Sequence, residues 1–370
     1  MAPPDAQPPV VLVRGSGDVG SAVAHLLLRR GHGVVIHDVE LPAAPRRGMA
    51  FADAVFDGAC TLDGVRARRV DDLTALAQAV AARDEVCVTA GGLGFVLAAV
   101  QPDVLVDARM RKRDHPEPQR DLAPLTIGLG PNFVAGETTH LAIETQWGDA
   151  LGAVVTAGAT RGLAGEPRSF DDHARDRFVY APVAGVLHTG AAIGDRVRAG
   201  EVVATIADER LAAPLDGILR GLTHDGVPVA RGAKVLEVDP RGDVAAVVGI
   251  GERPRRIAEG VLDAIAARRV RGRTSRDEEE WHVGTEQSRG AEELTAEERQ
   301  RLRRAHERLR AASKELEVLV ATEPIKGRWA PELAPAEILD AARADLQRAY
   351  EGVALCHQEV LGWELPPRHE

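Results

Sequence analysis

An internal repeat with a period of 32 residues constrains the fold of this chain more than any other feature of its sequence. Each copy predicts short strands interrupted by glycine and proline. Two copies are too few to form a solenoid, so we expect them to close on each other about a pseudo-twofold axis. The repeated pairs are Pro182 and Pro214, Gly185 and Gly217, Leu187 and Leu219, Gly194 and Gly226, Val197 and Val229, Gly200 and Gly232, and Val203 and Val235.

The repeat is similar to the biotinyl/lipoyl-type sandwich, in which two such halves interlock. Proteins of that type carry biotin or lipoate on a lysine at the hairpin between the halves. Here the junction, residues 207–211, reads ADERL and contains no lysine, and Lys234 lies inside the second copy. We therefore expect no covalent biotin or lipoate, and a carrier of that type is the least favoured function.

Strands alternate with helices in the N-terminal part of the sequence, an order typical of a parallel sheet in an α/β domain. Apolar runs predict strands at 9–14, 33–37, 85–90 and 103–106, a helix ending at Leu28, and helices at 71–82 and 93–100. A later hairpin is predicted from strands at 140–146 and 151–156, and a further helix at 253–267. The predicted fold class is therefore α/β plus β.

Composition and charge divide the chain into four predicted segments. They are a Rossmann-like nucleotide- or cofactor-binding domain at 1–135, a biotinyl/lipoyl-like sandwich domain with flanking strands and helix at 136–268, a linker at 269–290 and a helical hairpin at 291–370. The linker is charged and lacks periodicity. In the last segment, a capping box and apolar residues at spacings of three and four indicate two helices. A small appendage packed on itself is the simplest interpretation, and a homo-oligomerisation or partner-docking arm is the alternative.

The overall composition excludes several classes of protein. The chain has 370 residues, a formal net charge of −10 and a sequence pI of about 5.7, which argue against a general nucleic-acid binder. The N-terminus does not read as a signal peptide, and no apolar run approaches the length of a membrane span. Cys60, Cys87 and Cys356 have no metal-binding spacing, so we expect no metal site and a reduced, cytoplasmic protein.

A glycine-rich loop follows the first predicted strand and opens a helix. In Gly15-x-Gly17-x-x-Gly20, the first glycine allows a tight turn, the second lets a phosphate approach the backbone, and the third permits close helix–strand packing. Asp38 ends the second strand, where a ribose-binding carboxylate would lie. The loop is consistent with binding of an NAD(P)-like dinucleotide. It is equally consistent with a fold that has lost this ligand, because many folds of this kind keep the loop without the cofactor.

Basic residues follow several predicted strands at the edge where ligands bind in open α/β sheets. In an acidic protein this indicates a phosphorylated or otherwise anionic ligand, and an arginine-rich solvated loop is the alternative. No catalytic motif is present, so catalytic residues are unassigned and enzymatic activity is left open. The candidate cofactor-binding residues are Arg14, Gly15, Gly17, Gly20, Asp38, Arg46, Arg47, Gly91, Gly92, Asp107, Arg109, Lys112 and Arg113.

An ordered run of motifs over about residues 9–268 resembles the YqeB-type proteins, which are accessory proteins associated with selenium-dependent molybdenum hydroxylases in an XdhC-related context. The motifs include VRGSGDVGSAV, VLVDARMRKRD, IGLGPNFVAGE, LAIET, APVAGVL and VDPRGD. The sequence departs from that pattern at Gln146-Trp147-Gly148 and at 161–167, and the segment after about 268 lies outside the family.

The resemblance implies a Rossmann-like part joined to a biotinyl/lipoyl-like part. It also implies maturation of a client molybdenum hydroxylase, with a phosphorylated pterin of the molybdopterin type bound in the basic crevice. An NAD(P)-dependent oxidoreductase is the alternative function. The glycine loop with Asp38 favours that alternative, and the missing acid–base pair counts against it.

Overall fold

The computed structural model describes residues 7–111, 115–162, 167–274 and positions 301 and 304. The chain divides into two compact units, Met1–Glu278 and Glu279–Glu370. Of the second unit, positions 301 and 304 are described, and both are helical. The predicted helical hairpin at 291–370 and the linker beyond residue 274 otherwise lie outside the described residues.

The first part of the chain forms a mixed sheet with a large parallel core. Its described strands lie in the order β10-β9-β7-β6-β1-β2-β5-β4-β3, and all are parallel except β3 and β10 at the two edges. The strands are β1 (Val10–Arg14), β2 (Gly33–His37), β3 (Ala59–Leu62), β4 (Val65–Arg69), β5 (Val86–Thr89), β6 (Val104–Asp107), β7 (Leu125–Leu129), β9 (Leu141–Ile143) and β10 (Val154–Val155). A separate pair joins β8 (Val134–Ala135) to β11 (Gly158–Ala159).

Helices cover both faces of this sheet, which explains why its central strands are apolar on both sides. The helices are α1 (Asp18–Arg29), α2 (Asp53–Asp57), α3 (Leu73–Ala82), α4 (Leu93–Val100) and α5 (Glu252–Thr274). Val11 and Val13 of β1 pack in a core with α1 and α5, whereas Leu12 packs with α3 and α4 on the opposite face. In the described part of the chain, no helix is both long and apolar enough to cross a bilayer.

The 32-residue repeat folds into two four-stranded sheets, β12-β19-β17-β14 and β16-β15-β13-β18. A core of aliphatic side chains lies between them, including Leu187, Leu219 and Val235, each fully buried. We call this part the sandwich. Its strands are β12 (Phe178–Tyr180), β13 (Gly185–His188), β14 (Arg196–Val197), β15 (Val202–Ile206), β16 (Glu209–Ala212), β17 (Gly217–Leu222), β18 (Pro228–Val229) and β19 (Lys234–Asp239).

The two copies pair with each other reciprocally, as the repeat predicted. Gly185 in the first copy lies opposite Val229 in the second, and Val197 in the first lies opposite Gly217 in the second. Gly185 and Gly217 occupy equivalent positions in the two copies, and so do Val197 and Val229. The halves therefore exchange strands about a pseudo-twofold axis, and neither half can complete its sheets alone.

The structure differs from the sequence-based domain boundaries at both ends of the sandwich domain. β9 pairs with β7 and β10 pairs with β9, so residues 141–155 extend the parallel sheet rather than the sandwich. Helix α5 returns to pack beside α1, and it continues to Thr274, beyond the predicted start of the linker at 269. The local apolar pattern predicted these elements correctly but contains no information about which sheet they join.

Candidate functional site

Four neighbouring parallel strands end at one edge of the sheet, and their last residues are polar. Arg14 at the end of β1 lies opposite both His37 of β2 and Asp107 of β6, and His37 lies opposite Thr89 of β5. The carboxyl ends of parallel strands are where ligands bind in open α/β sheets. We call this the carboxyl edge.

The glycine loop, residues 15–20, lies on this edge between β1 and α1. Gly15 has a φ of +106°, which favours glycine. A Cβ added to Gly20 would lie 2.0 Å from the carbonyl oxygen of Gly15, so the third glycine is required by close packing. A Cβ added to Gly17 would meet no described atom within 4 Å, so space remains open beside the second glycine.

The start of α1 presents unpaired backbone donors beside that space. Among the described residues, the N–H groups of Gly17 and Asp18 donate no hydrogen bond. The N–H of Val19 donates to Oδ1 of Asp18 at 3.1 Å. Free N–H groups and the positive end of the helix dipole together favour an anion at this position.

Asp38, the predicted ribose carboxylate, is bonded to the glycine loop itself. Its Oδ2 accepts hydrogen bonds from the backbone N–H and the hydroxyl of Ser16, both at 2.6 Å. Its Oδ1 accepts from the N–H of Val39 at 2.8 Å. The carboxylate therefore holds the loop in place and keeps spare acceptor capacity at Oδ1.

A buried charge network lies behind the loop. Asp107 accepts hydrogen bonds from Arg109 and from the amide of Gln119, and Nη1 of Arg14 donates to Glu117 at 2.9 Å and to Gln119 at 2.8 Å. Burial opposes ionisation of Asp107, but the bonds from Arg109 and Gln119 hold its pKa below the ordinary value. Nε of Arg14 is buried and has no described acceptor.

The imidazole of His37 is fixed by the loop after β5. Its Nε2 lies 2.7 Å from the carbonyl oxygen of Gly91, and because a carbonyl can only accept, Nε2 carries the proton. Burial and the nearby Arg14 lower the pKa of His37, so the ring is neutral at pH 7. Gly92 is the N-cap residue of α4, and its carbonyl accepts from the N–H of Phe95 at 3.0 Å.

Two of the predicted cofactor-binding arginines bind residues of the sandwich, and one of them, Arg46, also binds the glycine loop. Arg46 donates from Nε to Glu237 and from Nη1 to Asp18, each at 2.9 Å. Arg47 donates from Nε to the carbonyl oxygen of Leu222 at 2.9 Å and also binds Asp53. The local sequence could not reveal these contacts, because the partners of both arginines lie up to 191 positions away. Lys112 and Arg113 lie outside the described residues.

Sequence reasoning missed the buried charges on the sandwich side of this junction. Glu237 is fully buried and is shared by Arg46, Arg177 and Lys234. Asp239, also fully buried, pairs with Arg220 and Arg241. In the sequence, Glu237 and Asp239 are marked only by their alternate positions in a mostly apolar strand. Acidic residues at alternate positions usually indicate that one face of the strand is exposed to solvent. We call Arg46, Arg177, Lys234 and Glu237 the junction cluster.

The sequence also did not indicate a role for Ser16, Glu117 and Gln119 at the carboxyl edge. Ser16 is a variable position of the glycine motif, and no motif includes Glu117 or Gln119. Among the described residues, no group of three or more histidine, cysteine, aspartate or glutamate side chains could hold a metal ion. The described groups at the carboxyl edge include backbone donors, the guanidinium of Arg14, the neutral imidazole of His37 and the carboxylates of Asp38 and Asp107.

Comparison with solved structures gives weak similarities only. The chain is 12% identical to the ectoine utilization protein EutE (DoeB) of Ruegeria pomeroyi, covering 63% of this chain and 85% of that one, with a TM-score of 0.19. It is 19% identical to a succinylglutamate desuccinylase/aspartoacylase of Rhodobacter sphaeroides, covering 64% and 86%, with a TM-score of 0.20. Alignments at these TM-scores do not establish a shared fold.

Sequence comparison is more informative. No protein-family model matches the chain. Over 256 residues it is 38% identical to a protein of Escherichia coli (strain K12) described as "Uncharacterized protein YqeB", a match that covers 69% of this chain and 47% of the relative. The chain thus spans about half the length of that curated relative. Over the matched residues, the resemblance to the YqeB-type proteins that the motifs indicated is confirmed.

Proposed function

We propose that this chain is an accessory protein that binds a phosphorylated cofactor of the pterin or nucleotide type at its glycine loop and serves the maturation of a molybdenum hydroxylase. The observation that carries the binding proposal is the pair of N–H groups of Gly17 and Asp18, which donate no described hydrogen bond and lie beside the open space at Gly17. The link to a hydroxylase, and to its selenium-dependent class, rests on what the YqeB-type resemblance implies.

The order of the parallel strands supports a nucleotide-like ligand. Six of them lie in the order β5-β2-β1-β6-β7-β9, which corresponds to the order 3-2-1-4-5-6 of doubly wound dinucleotide-binding sheets. In such sheets the ligand binds where the strand order reverses, next to the first strand. Here that position is the end of β1, where the glycine loop begins.

The charges around the loop support an anionic ligand in spite of Asp18. That carboxylate is partly buried, and its pKa is held low against the effect of burial by the charge and hydrogen bond of Arg46. Arg46 thereby neutralises the negative charge that would otherwise repel a phosphate. Arg14 adds a buried positive charge at the same edge.

Asp38 supports an NAD(P)-dependent oxidoreductase as the second candidate function. Oδ1 of Asp38 could still accept a ribose hydroxyl, which is what an NAD-binding site requires at the end of β2. The neutral His37 directly precedes Asp38, at the end of β2. Selective binding of NAD(P) over other phosphorylated ligands would favour this function.

Native mass spectrometry and calorimetric titration of the full chain test the binding proposal. We would add ADP, NAD⁺, NADP⁺ and free molybdopterin to the wild-type protein and to the variants Gly17→Ala and Gly94→Ala. A Cβ meets no described atom within 4 Å at either glycine, so both variants should fold. We expect Gly17→Ala to weaken binding at least about 10-fold, because the methyl group occupies the space for the phosphate, and Gly94→Ala to bind as the wild type does.

Each outcome decides between the candidates. Retention of molybdopterin, lost in Gly17→Ala, would support cofactor handling, and its transfer to an apo-hydroxylase would then test the maturation role. Retention of NAD(P) alone, with a change in nicotinamide fluorescence, would replace the proposal with the oxidoreductase. Equal binding by the wild type and Gly17→Ala, or no binding of any of the four compounds, would overturn the glycine-loop site.

A further inference from the structure

Lys234 occupies an unusual position at the junction between the parallel sheet and the sandwich. It is the first residue of β19, and its Nζ lies 2.8 Å from Oε2 of Glu237 and 4.4 Å from the ring centroid of Phe178. The side chain is 27% exposed, whereas Glu237 is fully buried. The side chain is therefore bound between a carboxylate and an aromatic face, while part of it remains exposed to solvent.

Three arginines also contact the carboxylate that binds Lys234. Arg46 donates to both oxygens of Glu237, Arg177 binds Oε1, and Nε of Arg220 lies 3.4 Å from Oε1. Asp18 pairs with Arg46, and Asp239 pairs with Arg220 and Arg241, so five cationic side chains share three carboxylates and positive charge is in excess beside Lys234. Burial, followed by the charge of Arg46, lowers the pKa of Lys234 to about 8, against the opposing effect of Glu237. Arginines do not lose their protons at any such pH, so the lysine is the group that becomes neutral.

The residue type at this position is also unusual for the chain. Of its 46 lysines and arginines, four are lysines, at positions 112, 234, 314 and 326. An arginine would serve better in a purely structural ion pair, because its fork can bind both carboxylate oxygens. A lysine adds something that an arginine cannot supply, namely an amine that can be neutral and nucleophilic.

We propose that Lys234 is a nucleophilic amine that captures an anionic aldehyde or ketone as an imine. The lone pair of neutral Nζ attacks the carbonyl carbon and forms a C–N bond. Proton transfer from the nitrogen to the oxygen gives a carbinolamine. The carbinolamine then loses its hydroxyl group and the one remaining amine proton as water, so amine and carbonyl give imine and water with no oxidation or reduction. Arg46 and Arg177 stay charged and favour an anionic substituent on the carbonyl compound. The proposal does not depend on what the glycine loop binds.

Reductive labelling with pyridoxal 5′-phosphate, an anionic aldehyde, tests the proposal on the full chain. The protein would be treated with the aldehyde and cyanoborohydride at pH 7, and the modified lysines would be located by peptide mass spectrometry. A pKa of about 8 gives about 300-fold more neutral amine at pH 7 than an ordinary lysine has. Lower intrinsic nucleophilicity offsets part of this gain, so we expect Lys234 to react at least about 10-fold faster than N-acetyl-lysine.

The matched variants are Lys234→Arg, which keeps a cation beside Glu237, and Lys314→Arg, which removes a different lysine. We expect fast labelling to disappear in the first variant and to persist in the second. The rate should rise with pH and level off above about 8 in the wild type.

A second comparison keeps the test decisive if Lys234→Arg fails to fold. In the wild type, the peptide containing Lys234 should be labelled faster in the native protein than in urea at the same pH, because unfolding restores an ordinary lysine. Slower labelling of that peptide in the native state, or a rate equal to that of N-acetyl-lysine, would overturn the proposal and leave Lys234 as a structural ion pair.

Discussion

Nε of Arg46 lies 2.9 Å from Oε2 of Glu237, although 191 positions separate the two residues in the chain. The contact joins the loop after β2 to strand β19 of the sandwich, and Nη1 of the same guanidinium reaches Asp18 at the start of α1. One side chain therefore connects the glycine loop to the sandwich through two carboxylates. The sandwich is thus part of the electrostatic environment of the candidate ligand site.

Replacing Arg46 by alanine should lower the free energy of unfolding by about 3 kcal/mol, because it leaves the buried Glu237 and the partly buried Asp18 with fewer partners. Chemical denaturation measured by circular dichroism would give the value. Arg210→Ala is the control, since that side chain is exposed on the hairpin between the two halves and should change stability by less than about 0.5 kcal/mol. Equal effects of the two substitutions would show that the junction cluster contributes nothing to stability.

Replacing Gly20 by alanine should destabilise the protein by about 3 kcal/mol, because the new Cβ would lie 2.0 Å from the carbonyl oxygen of Gly15 and the backbone would have to move. Gly17→Ala, three positions earlier in the same loop, should change the free energy of unfolding by less than about 0.5 kcal/mol. Thermal unfolding of both variants measures the difference. A stable Gly20→Ala protein would mean that α1 packs less closely on β1 than the structure shows.

Acidification should destabilise the protein as the pH falls below about 4. The pKa values of Asp18, Asp107 and Asp239 are held below the ordinary 3.8 by arginine partners, in spite of burial. Between the lowered and the ordinary pKa, the unfolded chain binds more protons than the native one, so stability rises with pH through this window and is lost as pH falls. Urea denaturation at a series of pH values between 2 and 7 tests this. Constant stability down to pH 2 would contradict the three lowered pKa values.

Glycines at equivalent positions of the repeat should respond alike where their surroundings are alike. Gly200 and Gly232 have φ values of +83° and +82°, and an added Cβ meets no described atom at either site, so alanine should cost about 1–2 kcal/mol at each. Gly185 and Gly217 break the symmetry. An added Cβ would lie 2.9 Å from a methyl group of Ile206 at the first and 2.3 Å from the backbone oxygen of Asp239 at the second.

Alanine should therefore be costlier at Gly217 than at Gly185, since a side-chain methyl group can shift more easily than the backbone. Denaturation of the four single variants measures both comparisons. If Gly200→Ala and Gly232→Ala differed by more than about 1 kcal/mol, the pseudo-twofold axis would not describe the energetics of the sandwich.

The features that the sequence determined by itself are those encoded over short distances. The glycine loop was predicted with the role of each glycine, because the turn, the open space and the close packing each depend on neighbouring residues. The repeat predicted its own closure, because two equal copies can satisfy their strand edges by pairing with each other, as Gly185 and Gly217 do with residues of the opposite copy. The ends of β1, β2 and β6 followed from apolar runs.

Only the tertiary structure decided which partners the charged side chains would take. Arg46 and Arg47 were expected beside a ligand at the carboxyl edge, and Arg46 does contact Asp18 of the glycine loop. Both arginines also bind residues of the sandwich, Glu237 and Leu222, which the chain brings close only after folding. Strand β9 and helix α5 likewise joined the parallel sheet rather than the sandwich. The periodicity of apolar residues indicates that a segment is a strand or a helix with an apolar face. The packing of the whole domain decides which neighbouring element buries that face. It also decides which side chain pairs with a buried charge.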